Sequence, residues 1–87
     1  MTIKKNSKPT YDNPETVAQF TFCGVTHRIV IFERNGQWHS HYKRIGEGVI
    51  AHGEASTRAE LLREMKSFMI GHGSCLMSNL IEDAERA

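Results

Sequence analysis

Asn35-Gly36 separates two runs rich in β-forming residues, 26–34 and 37–42. A two-residue hairpin turn of type I′ needs φ > 0 at both central positions, and Asn-Gly is the pair that accepts this most readily. A tight turn here sets the register. Arg34 faces Gln37, Glu33 faces Trp38, Ile31 faces Ser40 and Ile29 faces Tyr42. Directly opposite residues share a face of the sheet. One face therefore carries Ile29, Ile31, Trp38 and Tyr42, and reads as core. The other carries Arg28, Val30, Phe32, His39, His41 and Lys43, a mixture of cations and rings.

The stretch 17–23 alternates, with Ala18, Phe20 and Phe22 on one side and Val17, Gln19 and Thr21 on the other. This is the pattern of a half-buried strand. A turn at Gly24-Val25 pairs Phe20 with Ile29 and Ala18 with Ile31. Both hairpins then agree on which face is dry. Gly46 and Gly48 mark a further turn. Residues 49–53 follow as a short edge strand, whose His52 and Glu54 discourage further pairing.

Thr57 with Glu60 three residues on is a capping box. Leu61, Leu62, Met65, Phe68 and Met69 then recur at helical spacing. Gly71-His72-Gly73 ends this helix, with Gly71 as its left-handed cap. Ser74 opens a second helix with a stripe of Met77, Leu80, Ile81 and Ala84. The short link predicts that the two helices fold back on each other. Strands followed by helices define an α+β class. The expected architecture is an antiparallel three- to four-stranded β-meander followed by two C-terminal helices packed on one face. Its expected core is Ala18, Phe20, Phe22, Ile29, Ile31, Trp38, Tyr42, Leu61, Leu62, Met65, Phe68, Met69, Leu80 and Ile81.

With 87 residues there is room for one domain. Residues 1–14 hold three lysines, one aspartate and two prolines, and read as a flexible basic tail. Residues 15–87 make the single α+β domain. The net charge of +1 exerts no global pull on nucleic acid or anionic membrane. No apolar run approaches the roughly 18 residues that span a bilayer. Lys4, Lys5 and Lys8 precede no apolar segment, so they form no secretory signal. Cys23 and Cys75 make no disulfide framework, and reduced thiols in a host-cell cytoplasm are expected.

Catalytic patterns are missing. Ser40 lies between His39 and His41, but strand neighbours point to opposite faces and cannot form a triad. The glycines at 46, 48 and 53 match no phosphate loop. Cys75 at a helix start has no orienting His-Asp pair. His39-x-His41 has a spacing that binds zinc in open sites, yet a structural site wants four ligands. Cys23 lies about four residues from the His41 row, roughly 13 Å away at ~3.3 Å per residue. With no source for the missing ligands, neither metal nor cofactor is expected. Function therefore falls to the ring-and-cation face, whose composition is that of interface hot spots and base-stacking surfaces.

The order of parts resembles a small phage-encoded anti-CRISPR family that blocks the type I-F surveillance complex. The similarity covers residues 28–86. It lies in Ile31-Phe32-Glu33-Arg34-Asn35-Gly36, the glycine-bearing turn before Val49, Ser56-Thr57, and Gly71-His72-Gly73. The resemblance implies four antiparallel strands backed by two helices, and inhibition by a sheet face that docks on a Cas backbone subunit. Phe32 falls where that family has an aromatic docking residue near the tip of the second strand. The expected function is a non-enzymatic phage or mobile-element inhibitor, monomer or homodimer, binding through Arg28, Val30, Phe32, His39, His41 and Lys43. Alanine at Phe32 and Arg28 is then expected to abolish binding with thermal stability nearly unchanged. The alternative is a small DNA-binding module. A sheet with a C-terminal helix is also similar to the arm-binding domains of phage integrases, with Arg28, Lys43, Arg44 and the lysine tail contacting phosphates.

Overall fold

The computed structural model describes residues 8–71 and 73–86. Four strands, β1 (Glu15–Phe22), β2 (Val25–Arg34), β3 (Gln37–Arg44) and β4 (Gly48–Ala55), precede two helices, α1 (Arg58–Gly71) and α2 (Cys75–Arg86). The strands form one antiparallel sheet in the order β1-β2-β3-β4. The α+β meander with two C-terminal helices is thus the fold.

Asn35 and Gly36 have φ of 55° and 77°, the left-handed pair that the tight turn demands. Arg34↔Gln37, Glu33↔Trp38, Ile31↔Ser40 and Ile29↔Tyr42 all pair as the turn predicts. The first hairpin reverses one residue earlier than expected. Cys23 and Gly24 carry the positive φ values, 54° and 80°, so Ala18 pairs with Ile29 and Phe20 with His27. Each β1 partner on β2 moves by two residues, which preserves the face. The shift leaves Phe22 opposite Val25 at the end of the sheet, and Phe22 is 66% exposed rather than core. A register slip between Thr16 and Ala18 turns Val17 inward, where it is buried.

β4 is longer than expected and pairs with β3 from Trp38 to Arg44. The register slips between Tyr42↔Ala51 and Lys43↔Val49, with Ile50 as the extra residue of a β-bulge. Beyond it, His41 faces His52 and His39 faces Glu54.

The core lies between the sheet and the helices. Ile29, Ile31, Leu61, Leu62, Met69, Met77 and Ile81 are almost wholly buried, with Phe20, Trp38, Tyr42, Leu80 and Ala84 packed around them. Helix α1 rests on β3 and β4, and α2 on β1. Phe68 is 40% exposed, at the margin of the stripe expected to be buried. Thr57 Oγ1 accepts the Glu60 N–H at 3.1 Å, the side-chain cap expected of the box. At the other end of α1 the left-handed residue is Gly73, not Gly71. The Ser74 N–H donates to Met69 O and the Gly73 N–H to Ile70 O, the two bonds of a Schellman motif. The Arg58 guanidinium reaches both Glu15 carboxylate oxygens, at 3.3 and 2.7 Å, and ties β1 to the start of α1. Lys66 Nζ lies 2.6 Å from Glu85 Oε1 and links the helices.

Part of the N-terminal stretch is docked against the sheet. β1 begins opposite Ile31, so the Glu33 N–H beyond it is free to donate to Pro9 O, at 3.0 Å. Lys8 pairs with Glu33 at 3.2 Å. The Tyr11 ring meets Phe32 edge-on, with centroids 5.4 Å apart, and the Arg34 guanidinium lies over Tyr11. Of the basic tail, residues 8–14 therefore lie against the sheet in this structure. The tail's remainder, residues 1–7 with Lys4 and Lys5, lies outside the described residues, as does His72.

Candidate functional site

Alternation along β3 sends Trp38, Ser40 and Tyr42 toward the helices and His39, His41 and Lys43 to the far side. The bulge at Ile50 brings β4 into the matching phase. Ala51, Gly53 and Ala55 face inward, while His52 and Glu54 join His39 and His41. Four potential ligand side chains thus occupy a two-by-two block on the far side of the sheet.

The six residues expected to bind a partner share this side, but they are not equally accessible. Val30 and Phe32 are each only 3% exposed. Tyr11 and Pro14 line the same hollow as Val30, Phe32, His41 and Lys43, so the docked arm roofs the apolar half of the face. The expectation of an open face is therefore corrected for Val30 and Phe32. Arg28, His39, His41 and Lys43 are only partly buried around the roof. Arg28 Nε donates to Gln19 Oε1 at 2.7 Å.

The rings form a stacked ladder. Phe32 stacks on His39, with centroids 5.3 Å apart and planes 14° apart, and His39 stacks on His52 at 5.7 Å and 26°. His41 meets Phe32 edge-on at 5.2 Å and leans on His52 at 5.5 Å. Burial pushes the His41 pKa below its ordinary 6.5, and the neighbouring charges of His52, Lys43 and His39 push it the same way. At pH 7 this imidazole is mainly neutral.

The expectation that nothing supplies further ligands is corrected for His39: β4 brings His52 and Glu54 beside it, while His41 stays outside this group. His39 Nδ1, His52 Nε2 and Glu54 Oε2 approach one another at 3.4, 3.7 and 3.7 Å. The signal was present as a second i, i+2 pair, His52-x-Glu54, across one hairpin. It was hidden because the pairing depends on a bulge.

Among the described residues, Ser40, His27 and Cys23 stand apart from this block. Ser40 is fully buried on the helix side, away from both neighbouring histidines, and its Oγ has no hydrogen-bond partner. His27 lies on the helix side too, stacked on Phe20 and 3.0 Å from the Tyr42 hydroxyl. Cys23 is an exposed free thiol in the first turn. No helix among the described residues is long and apolar enough to cross a membrane.

No family model matches the chain, and neither does any curated protein or solved structure.

Proposed function

We propose that the protein is a non-enzymatic inhibitor that binds a host protein complex through the far side of its sheet. The docking residues are those left accessible around the arm: Arg28, His39, His41 and Lys43. The observation that carries this reading is the ring ladder, in which His39 and His41 pack on the buried Phe32 ring while Arg28 and Lys43 stand beside them on the same face. Preorganised rings among cations give an interface a low ordering cost. Phe32 acts from below, as the support of the ladder, rather than by direct contact. The partner we propose, on the resemblance alone, is a type I-F CRISPR-Cas surveillance complex.

The DNA-binding alternative is less well supported. Of the cations that reading needs, Lys8 and Arg44 each have a carboxylate within 4.0 Å, while Arg28 and Lys43 remain for phosphate. Tyr11 also roofs the face that would have to enter a groove.

The test is binding of the purified chain to a reconstituted type I-F surveillance complex, with target-DNA capture as the readout. The wild type should block capture. Arg28→Ala combined with Lys43→Ala should weaken binding at least roughly tenfold, the scale of losing one interface hot spot. Undiminished DNA capture with the wild type removes this partner. Undiminished binding by the double variant removes this face.

A further inference from the structure

We propose that His39, His52 and Glu54 form a binding site for a divalent transition ion of the zinc class. The three ligand atoms, His39 Nδ1, His52 Nε2 and Glu54 Oε2, make a triangle with sides of 3.4, 3.7 and 3.7 Å. The point equidistant from all three lies about 2.1 Å from each, which is the bond length of zinc to imidazole nitrogen or carboxylate oxygen. A small contraction lets the ion rise out of that plane into tetrahedral geometry.

The donor set selects the ion. Two imidazoles and one carboxylate suit zinc, copper, nickel or iron(II), and cobalt(II) reports on such a site spectroscopically. Calcium and magnesium prefer an all-oxygen shell and are disfavoured here. Three protein ligands leave a fourth position for water, as in open zinc sites.

The site is also supported from behind. Ligand atoms bind tightly when packing has already fixed their side chains. His39 is held between Phe32 and the His52 ring, and Phe32 is pinned by Tyr11. His41 packs against both Phe32 and His52. His52 and Glu54 are exposed on the edge strand, so an ion reaches them without any opening of the fold. This site shares His39 with the docking face proposed above, but it rests on the ligand triangle and not on the docking role.

The experiment uses the full chain without an affinity tag. Zinc chloride is titrated by calorimetry and by thermal unfolding, and cobalt(II) by visible absorption. One ion should bind per chain. At about a hundredfold excess over Kd the melting temperature should rise by roughly 10 °C or more. Cobalt should give the intense d–d bands of a tetrahedral site without thiolate charge transfer. His52→Ala and Glu54→Gln change exposed side chains. Each should weaken binding at least roughly tenfold, the scale on which even outer-sphere partners matter. Cys23→Ser should bind as the wild type does. The proposal fails if wild type shows no saturable binding. It fails equally if His52→Ala retains the wild-type Kd, or if the cobalt spectrum shows a sulfur ligand.

Discussion

Replacing Phe32 by alanine is expected to lower the folding stability by about 3–5 kcal/mol, the usual cost of emptying a buried phenylalanine site. On the sequence alone this ring sits on an open face, where its loss would hardly register. In the fold it is 3% exposed, with Tyr11 edge-on at 5.4 Å, His39 stacked at 5.3 Å and His41 edge-on at 5.2 Å. Truncation removes all three contacts and leaves a void under the arm. For a domain this small such a loss is a large share of a total near 5–15 kcal/mol. Urea unfolding measures it directly. Tyr11→Ala should cost less, because Tyr11 is itself exposed, and the two substitutions together should cost less than their sum. Additive effects, or a Phe32→Ala midpoint equal to the wild type, would show that the arm does not dock on the ring.

The second large effect lies on the opposite side of the sheet. Gly53→Ala is expected to destabilise the protein by about 1 kcal/mol, the low end for overfilling, because the atom in the way is the end of the Ser40 side chain beside a hollow. A Cβ at position 53 would stand 2.7 Å from Ser40 Oγ, well inside contact distance, and 3.7 Å from Leu61 Cδ1. Ser40 pairs directly with Gly53 across β3 and β4 and is fully buried. Its hydroxyl has no hydrogen-bond partner, so Ser40→Ala should be neutral or stabilising. The informative variant is the double one. With the hydroxyl gone, the added methyl has room, and most of the Gly53→Ala penalty should vanish. Equal penalties in both backgrounds would place the strain elsewhere.

These two sites show what could be read from residues in order. The Asn35-Gly36 turn is a local signal with one solution, and the β2–β3 register followed from it pair by pair. The stripe of α1 was equally local, and it misplaced only Phe68 at its margin. The first hairpin was ambiguous because Cys23 adopts a positive φ that its residue type does not advertise. The arm was illegible for a different reason. A segment of lysine, proline and asparagine lacks the apolar content to order itself. A single aromatic, Tyr11, together with the unpaired end of β2 holds residues 8–14 in place. That contact joins residues 21 positions apart and leaves no periodic trace. The ligand cluster was half visible. His39-x-His41 stood out, while its partners depended on how β4 is phased against β3.

That phasing leaves the hairpin one residue to spare. Counted evenly back from the glycine turn, His52 would sit opposite Ser40 and Glu54 opposite Trp38, both pressed into an oily layer. The bulge at Ile50 absorbs the difference and returns them to water. A chain shortened by deletion of Ile50 would simply run straight, with His41 still opposite His52 and His39 still opposite Glu54. A chain lengthened by one residue at the same place would need a second irregularity. Drift in length along this strand therefore has a preferred direction, and shortening is the change the histidine cluster survives.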